Sequence, residues 1–488
     1  MLKNIKDVKQ KKFTDYPERI LQFGEGNFLR AFADWMVEKA NEDGVYEGTI
    51  VACQPINQGL GEILNAQDCM YNVLIRGMEN HKPVEQFKTI NSISRCINPY
   101  EDYEALMELA TNPQIDVIIS NTTESGIVYS EGDKLGDKPP KSFPAKVCAF
   151  LYNRYKHFNG DPDKGMLLLP VELIDNNGAM LKKIVIRYAT EWNLGDEFID
   201  WVENYNEFAS TLVDRIVPGY PRTEIDSIYE KLGYEDKLVV TCESFNLWVI
   251  EADSRYKDRL PIHKTSANVI WTDDVTPYKK RKVRILNGSH TAVVPCAFIA
   301  GFNTVLEFFR DDLFGGFEKD LISKEIIPAT NMSKEELESF AASVLERFDN
   351  PYIVHNLIDI TLNDSSKFNA RCLPTIIDYY NKFNSCPKHF AFSLAGFIRF
   401  YKVENQNGEF VGKRDSGETY KIKDDASVLE FFTDVWKSDN LEEIVCKSLA
   451  NTNIWSQNLN ELGDLKEQVL FFLNSIRKNG MKEAMKQF

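Results

Sequence analysis

Short apolar runs alternate with amphipathic helical stretches over the first half of the chain, and this alternation constrains the fold most strongly. Residues 19–24, RILQFG, form an apolar run that a glycine ends, and residues 27–44 then carry apolar side chains at helical spacing up to a closing Asn-Glu-Asp-Gly. Further apolar runs lie at 48–55, 115–126 and 165–174. Strand, helix and strand in this order form right-handed βαβ units, so the sequence predicts an α/β domain with a Rossmann-type parallel sheet.

The apolar periodicity becomes helical after about residue 280, and strand-like runs are scarce from there on. A chain of 488 residues is also too long for one ordinary core. We therefore predict an N-terminal α/β domain over residues 1–280 and a mostly α-helical C-terminal domain over residues 281–488. The helical stretches of the second half are 333–348, 372–383, 389–403, 425–438 and 462–480.

The composition disfavours several classes of function. The net charge of −16 at pH 7 argues against a broad nucleic-acid surface, although it leaves room for a local basic pocket. The N-terminal residues lack the apolar run of a secretory signal, no apolar stretch is long enough to span a bilayer, and nine scattered cysteines without a CxxC pair are typical of reduced thiols. We expect a cytoplasmic protein with a small-molecule substrate and no nucleic-acid or membrane partner. The sequence does not indicate an oligomeric state, and a monomer is compatible with it.

A glycine turn follows the first predicted strand. Gly24 and Gly26 precede the first helix, where backbone N–H groups can approach a pyrophosphate. Two parts of the usual dinucleotide fingerprint are missing: Leu29 replaces its third glycine, and Gln54 stands where an acidic residue would bind the ribose. From these residues alone the turn is either a nucleotide site or a tight connection without a ligand. The polar segment SNTTESG after a later strand favours the nucleotide site, because ligands bind at the carboxyl ends of such strands.

The segment KVRILNGSH, residues 282–290, places a lysine, an asparagine and a histidine at offsets 0, 5 and 8. If the segment begins a helix, Lys282, Asn287 and His290 fall within an arc of about 140°. One face then carries an amine that can exchange a proton, an amide that can donate to an alkoxide-like oxygen, and an imidazole that can bind a hydroxyl. The alternative is a solvated helix start that contains a histidine by chance. No metal is indicated, because the six histidines include no HxxxH or HxxEH spacing.

Several segments together resemble the polyol-specific long-chain dehydrogenases, the mannitol dehydrogenase family. The pattern KxxxxNxxH after DDVTPYKKR looks like the signature of that family, and QFGEGNFLRAFADW is similar to its glycine turn, G-x-G-x-F-x-R. NTTESG, TLVDRIVPGYPR and RFDNPYIVHNL match further family segments in the same order, so the resemblance covers nearly the whole chain. ELIDNNG and KSFPAK are most similar to the uronate branch of the family.

This resemblance implies an activity and a cofactor. The implied reaction is the NAD-dependent interconversion of a keto-uronate and an aldonate, D-tagaturonate and D-altronate, without a metal. The implied architecture is an NAD-binding Rossmann-type domain followed by a helical domain that carries the catalytic and substrate-binding residues.

The resemblance also assigns roles to individual residues. It makes Lys282 the general acid/base, and it puts Asn287 and His290 against the reacting oxygen. Asp214 in VDRIVP stands where the family has an active-site aspartate. The residues that it assigns to the cofactor are Phe23, Gly24, Gly26, Asn27 and Phe28 at the pyrophosphate turn, with Thr123 and Glu124 near the nicotinamide.

Three positions depart from the mannitol-type pattern. The asparagine of the family's CDN segment is absent from Val171-Glu172-Leu173, and a glutamate three residues before the catalytic lysine is here Lys279. The arginine that the family places eight residues before Lys367 is here Asp359, while Arg371 follows. Lost contacts to a neutral polyol and added positive charge suit a substrate with a carboxylate, so we expect Lys367 or Arg371 to hold it. The alternative for both residues is a solvated charge at a helix end.

Other functions stay open at this point. Within the family, D-fructuronate and D-mannonate differ from the implied pair only in stereochemistry, and mannitol or mannitol phosphate is a further alternative. A non-enzymatic NAD-sensing protein would keep the glycine turn without the proton carrier, and the presence of Lys282, Asn287 and His290 disfavours it. The preference for NAD over NADP rests on the resemblance, because Gln54 replaces the ribose-binding acid.

Overall fold

A computed structural model describes residues 2–488 and divides them into two compact units. The first contains the residues up to Gly77 together with Val84–Thr276, and the second contains Met78–Pro83 together with Pro277–Phe488. The sequence pattern predicted one division near residue 280 and did not indicate that Met78–Pro83 belongs with the later residues.

The first unit is built on a six-stranded parallel sheet with helices, and it has the predicted Rossmann-type class. The sheet order is β5-β2-β1-β6-β7-β8, in which the chain starts in the middle, extends to one side and then returns to the other. Two three-stranded sheets, β10-β3-β4 and β12-β11-β9, complete the unit. The strands are β1 (Glu18–Phe23), β2 (Thr49–Cys53), β3 (Tyr71–Glu79), β4 (Lys82–Ile90), β5 (Ile93–Ile97), β6 (Val117–Ser120), β7 (Leu167–Pro170), β8 (Glu207–Phe208), β9 (Ser210–Asp214), β10 (Val240–Cys242), β11 (Leu247–Glu251) and β12 (Val269–Thr272). The helices are α1 (Asn27–Arg30), α2 (Ala33–Glu42), α3 (Gly61–Ala66), α4 (Tyr103–Leu109), α5 (Phe143–His157), α6 (Asn177–Glu191), α7 (Asp196–Tyr205) and α8 (Ile225–Leu232).

The central strands are buried on both faces, which explains their uninterrupted apolar runs. Ile20 of β1 packs in one core, whereas Leu21 and Phe23 of the same strand pack in a second core on the opposite face. The alternation continues in β6, where Ile119 lies in the first core and Ile118 in the second. The sheet is therefore buried on both faces, and the exposed polar groups lie in the segments that follow its strands.

The second unit is mostly helical, as predicted, with one small antiparallel sheet that the sequence pattern did not reveal. This sheet has the order β13-β14-β15, with β13 (Val403–Gln406), β14 (Glu409–Lys413) and β15 (Thr419–Lys421). Two π-helical segments, Val283–Gly288 and Leu321–Ile326, interrupt the α-helices. The helices are α9 (Thr276–Lys282), α10 (Ser289–Ala300), α11 (Val305–Phe309), α12 (Asp312–Asp320), α13 (Ile327–Ala329), α14 (Lys334–Phe348), α15 (Leu357–Ile360), α16 (Asp364–Arg371), α17 (Leu373–Phe383), α18 (Lys388–Phe400), α19 (Ala426–Val435), α20 (Leu441–Ala450), α21 (Thr452–Trp455), α22 (Leu465–Asn479) and α23 (Met481–Met485).

No helix within residues 2–488 combines the length and the apolar character that a membrane-spanning segment needs.

Candidate active site

The glycine turn lies where the strand order of the parallel sheet reverses. The N–H of Gly24 donates to the carbonyl of Cys53 at the end of β2 (2.9 Å), and the N–H of Asn121 after β6 donates to the carbonyl of Phe23 (3.0 Å). The turn therefore lies between two strands that lead to opposite halves of the sheet, where ligands of such folds bind. Gly24 has φ of +122°, and a Cβ there would lie 2.9 Å from the carbonyl oxygen of Asn121. Only glycine fits this position.

Gly26 and Asn27 form the exposed part of the turn. Gly26 precedes α1, and a Cβ built on it would meet no atom within 4 Å. The side chain of Asn27 accepts a hydrogen bond from Nη2 of Arg30 (2.8 Å), and the half-buried ring of Phe28 stacks on Phe32 with 4.8 Å between centroids. An open backbone beside a sheet crevice fits the pyrophosphate of a dinucleotide.

The side chain of Arg30 stabilises the glycine turn. No role was assigned to this residue from the sequence. Its guanidinium is fully buried, with Nε donating to the carbonyl of Glu25 (3.1 Å) and Nη1 donating to the carbonyl of Leu238. Together with the bond to Asn27, these contacts use all three nitrogens of the guanidinium. The shape of the turn is therefore fixed before any ligand binds.

Gln54, at the position of the missing ribose-binding acid, has a different role. Its side chain is buried, with Oε1 accepting from the N–H of Gly61 (2.9 Å) and Nε2 donating to the carbonyls of Ile56 (3.3 Å) and Asn57 (3.2 Å). The amide therefore folds the loop after β2. Burial raises the pKa of Glu25, which accepts from the N–H of Leu60 in the same loop (3.1 Å).

The loop after β6 carries Thr123 and Glu124, and both side chains are exposed. The carboxylate of Glu172 anchors this loop, because it accepts from the N–H and the hydroxyl of Thr122 (both 2.9 Å). Thr123 has φ of +74°, which is uncommon for a residue other than glycine and marks a constrained loop. Leu173, at the asparagine position of the mannitol-type enzymes, is 65% exposed.

Asp214 ends β9 in the first unit and is buried. The next residue, Arg215, fixes the local chain, since its Nη1 donates to the carbonyl of Ala31 (2.7 Å) and its Nε donates to the carbonyl of Glu243 (3.0 Å). Its guanidinium also lies 4.5 Å from the ring centroid of Trp35. Asp214 therefore lies at the end of a strand, and the residue that follows it contacts the helices after the glycine turn.

The KVRILNGSH segment does not begin a helix, because it lies inside a helical run from Thr276 to Ala300. Lys282 is the last residue of α9, and the next six residues, Val283–Gly288, form a π-helix. In a π-helix the hydrogen bonds join residues i and i+5, so Lys282 and Asn287 are one turn apart instead of about 140° apart. The π-helix therefore brings the amine and the amide closer to one face than the predicted α-helix would.

Close packing around Gly288 accompanies the π-helix. A Cβ at Gly288 would lie 3.2 Å from the carbonyl oxygens of both Arg371 and Val283, so a larger residue would push α16 away. The thiol of Cys372 donates to the carbonyl of Gly288 (3.3 Å), and the buried Arg284 donates to the carbonyl of Ala329 (3.2 Å). These contacts hold the widened turn in place.

His290 and Asn287 carry buried polar atoms without hydrogen-bond partners. Nε2 of His290 and Oδ1 of Asn287 are both closed to solvent, and neither forms a hydrogen bond. The imidazole stacks on Phe348 with 4.0 Å between centroids and 20° between the ring planes. Burial, followed by the neighbouring basic groups of His355, Arg347 and Arg371, lowers the pKa of His290 to about 3. His290 is therefore neutral near pH 7.

The two residues expected to hold a substrate carboxylate lie on α16. Lys367 donates to the carbonyl of Ile360 (2.8 Å), and Nη1 of Arg371 donates to Oγ1 of Thr291, the residue after His290 (3.4 Å). Burial raises the pKa of Asp364, at the start of α16, well above its usual range, and neither of its oxygens has a partner. Of the two candidates, Arg371 is the one whose charge acts on His290.

Four residues of these sites were missed from the sequence: Arg30, Asp364, Arg347 and His355. Arg30 lies within the quoted glycine-turn motif, and Arg347 and His355 are the first and ninth residues of RFDNPYIVHNL, so the motifs contained a signal for three of them. Within residues 2–488, no group of three His, Cys, Asp or Glu side chains is arranged to hold a metal ion.

Two family models match the chain and together span most of it. The mannitol dehydrogenase Rossmann domain matches residues 18–264, and the mannitol dehydrogenase C-terminal domain matches residues 274–476. Among curated relatives, the altronate oxidoreductase of Pectobacterium carotovorum is 42% identical over 479 residues, which cover 97% of each chain. The altronate oxidoreductase of Escherichia coli O7:K1 is 43% identical over 477 residues, which cover 96% of this chain and 97% of the relative.

Two solved structures share the fold. The ternary complex of Pseudomonas fluorescens mannitol 2-dehydrogenase with NAD and D-mannitol has a TM-score of 0.65 at 23% identity, over 98% of this chain and 95% of the other. Substrate-free D-sorbitol dehydrogenase has a TM-score of 0.80 at 20% identity, over 99% of this chain and 100% of the other.

Proposed function

The chain belongs to the mannitol dehydrogenase family, and on this premise we propose that it is an NAD-dependent oxidoreductase that interconverts D-tagaturonate and D-altronate. The observation that carries the substrate assignment is the identity of 42–43% to altronate oxidoreductases along almost the entire length of both chains. The reaction transfers a hydride between the cofactor and one carbon of the sugar acid, and a proton leaves or enters at the oxygen on that carbon.

The glycine turn is the proposed cofactor site. Gly24 and Gly26, with Phe23, Asn27 and Phe28, would hold the pyrophosphate through an open backbone that Arg30 keeps in shape. Thr123 and Glu124 would lie near the nicotinamide, at the end of β6 on the other side of the switch point. A nicotinamide cofactor held there would accept the hydride as NAD+ and supply it as NADH.

Lys282 is the proposed general acid/base. In the direction of reduction its Nζ gives a proton to the carbonyl oxygen, and in oxidation it takes the hydroxyl proton. Asn287, one π-turn away, would bind the same oxygen. His290 stays neutral near pH 7, so its unpaired Nε2 is available to a substrate hydroxyl without an added positive charge.

Asp214, Lys367 and Arg371 are the proposed substrate-binding residues. Arg371 supports this role by its contact with Thr291 beside His290, and Lys367 by its position one helical turn earlier on α16. A guanidinium can bind a carboxylate through two parallel hydrogen bonds, which a neutral polyol does not offer.

The experiment is a measurement of NADH oxidation by the purified protein with D-tagaturonate, D-fructuronate, D-fructose and D-fructose 6-phosphate. We expect kcat/KM to be highest for D-tagaturonate, and higher with NADH than with NADPH. A higher value for D-fructuronate would indicate that the protein interconverts D-fructuronate and D-mannonate instead. A higher value for D-fructose or D-fructose 6-phosphate would contradict the proposal that the substrate is a sugar acid. NADH binding without turnover of any of the four would favour a sensing protein.

A further inference from the structure

The side chain of Glu25, between the two glycines of the turn, lies against the loop that follows β2. Its Oε1 accepts a hydrogen bond from the N–H of Leu60 (3.1 Å). A Cβ built on Gly59 would collide with this oxygen and would lie 2.9 Å from Nε2 of Gln54, so the carboxyl of Glu25 and the amide of Gln54 are close neighbours at the same glycine. The turn therefore places an acidic group beside the first residue after β2.

This position matters because sheets of this kind bind the adenosine ribose of a dinucleotide at the end of the second strand. An acidic residue there accepts a hydrogen bond from the ribose 2′-hydroxyl, whereas an arginine accommodates the 2′-phosphate of NADP. Here the residue is Gln54, and the loop uses its amide: Nε2 donates to the carbonyls of Ile56 and Asn57, and Oε1 accepts from the N–H of Gly61. Gln54 therefore does not replace the acid.

The carboxylate of Glu25 keeps acceptor capacity for a ligand. An ionised carboxylate offers about four acceptor sites, and the backbone N–H groups of Leu60 and of Glu25 itself are the donors that approach it. Arg30, although close in the chain, directs its Nε to the backbone carbonyl of Glu25 (3.1 Å) and not to the carboxylate. Backbone groups therefore hold the carboxylate in place and leave acceptor sites for ribose hydroxyls.

The loop after β2 has no basic side chain. Residues 54–61, QPINQGLG, contain neither lysine nor arginine. A 2′-phosphate is bound by a group such as an arginine, and a carboxylate in that place would repel it. The loop and the turn together therefore favour a ribose with free hydroxyls over a phosphorylated one.

We propose that Glu25 selects NAD over NADP, because its carboxylate accepts hydrogen bonds from the hydroxyls of the adenosine ribose and repels a 2′-phosphate. The glycine turn thereby supplies the acid that is missing at the end of β2. This inference rests on the cofactor site of the proposed function and is independent of its sugar substrate. It gives the turn two roles, one through its open backbone and one through its acidic side chain.

The test measures the dissociation constants of NADH and NADPH by the fluorescence of the bound nicotinamide, with no sugar present. We expect the unmodified protein to bind NADH about 30-fold more tightly than NADPH. In Glu25→Gln the Kd for NADPH should fall about tenfold, because the repulsion is lost. The Kd for NADH should rise about threefold in the same variant, because an amide oxygen is a weaker acceptor than a carboxylate.

Glutamine keeps an oxygen for the N–H of Leu60, so Glu25→Gln should unfold at the same urea concentration as the unmodified protein. A change in cofactor binding then reports the lost charge and not a disturbed loop. Glu25→Asp keeps the charge and should still bind NADPH weakly. Glu62→Gln is the matched control, because Glu62 is exposed on α3, directly after the same loop. It removes the same charge and should leave both Kd values unchanged.

An unchanged ratio of the two Kd values in Glu25→Gln, or an equal change of that ratio in Glu62→Gln, would overturn the role of Glu25. Tighter binding of NADPH than of NADH by the unmodified protein would overturn it as well. A preference for NADH that is lost in Glu25→Gln supports the inference even if D-tagaturonate is not turned over, in which case only the proposed substrate is wrong. Binding of neither cofactor would contradict both the cofactor site and this inference.

Discussion

Arg30 and Gln54 at the glycine turn differ from Asn287 and His290 in how their buried polar atoms are paired. At the turn, Arg30 and Gln54 use their side-chain donors and acceptors on neighbouring backbone groups. In the other segment, Asn287 and His290 each keep a buried polar atom without a partner. The first arrangement stabilises one backbone shape, whereas the second keeps hydrogen-bonding capacity for a substrate and costs stability.

The same difference extends to buried carboxyl groups. Glu172 holds the loop after β6 with three hydrogen bonds, from Ser120 (3.1 Å) and from Thr122. Glu318 on α12, which packs against α10, is fully buried, and neither of its oxygens forms a hydrogen bond of good geometry, although the hydroxyl of Ser289 lies near the carboxyl. A buried carboxyl with partners acts as a structural anchor, while one without partners keeps its proton and adds a pH dependence to stability.

The largest expected effect comes from Lys282→Ala. If its amine moves the proton, kcat for the keto acid should fall by about 10³-fold, while the Kd for NADH, measured by its fluorescence, stays within about twofold. Lys280→Ala is the control, since Lys280 is exposed and pairs with Asp378 at 3.7 Å. If kcat of the variant stayed within about tenfold of that of the unmodified protein, Lys282 would not be the residue that transfers the proton.

Glu318→Gln should flatten the pH dependence of stability. Burial raises the pKa of Glu318 from 4.5 to about 8, so between these values the folded protein binds a proton that the unfolded chain has lost. The free energy of unfolding therefore falls as pH rises through this window, by on the order of 3 kcal/mol from this group. Urea unfolding at about pH 5 and about pH 8.5 measures the pH dependence of stability, which should be smaller in the variant by the contribution of Glu318.

The exposed Glu335, at the start of α14, provides the control for this measurement. Glu335→Gln should leave the difference between the two pH values unchanged. An equal pH dependence in Glu318→Gln and the unmodified protein would mean that Glu318 is ionised in the folded state, and its apparent lack of partners would then be wrong.

Gly24→Ala and Gly26→Ala separate the structural from the binding role of the glycine turn. A Cβ at Gly24 meets the carbonyl of Asn121 at 2.9 Å, so the free energy of unfolding should fall by about 2 kcal/mol. A Cβ at Gly26 meets nothing within 4 Å, so this variant should be as stable as the unmodified protein while its Kd for NADH rises. Unchanged NADH binding in Gly26→Ala would mean that the pyrophosphate does not approach that backbone.

The sequence was sufficient for the class of the fold because the decisive signals are local. The strands predicted at 19–24 and 48–55 are β1 and β2 within two residues at either end, since buried parallel strands are apolar throughout. The helix predicted at 27–44 divides into α1 and α2, because Ala31 and Phe32 leave the helical conformation between them. Apolar spacing does not record such a short interruption.

The site was only partly predictable, for two physical reasons. Spacing alone does not separate an α-turn from a π-turn, so the relation between Lys282 and Asn287 required the structure. Arg347 and His355 lie more than fifty residues from His290 in sequence, and only tertiary packing places their basic side chains where they lower its pKa. Gln54 is the opposite case: the missing acid was visible in the sequence, but the loop that its amide folds was not.

The smallest expected effect tests the comparison most directly, through His290→Phe and Gln54→Leu. Phenylalanine keeps the stacking on Phe348 and removes the unpaired Nε2, so the free energy of unfolding should rise by about 1 kcal/mol although activity is lost. Leucine at position 54 leaves the N–H of Gly61 without its acceptor, so stability should fall by about 1 kcal/mol. Urea unfolding measures both changes. A similar loss of stability in the two variants would mean that His290 is paired as fully as Gln54, and the two regions would then not differ in the way the unpaired atoms indicate.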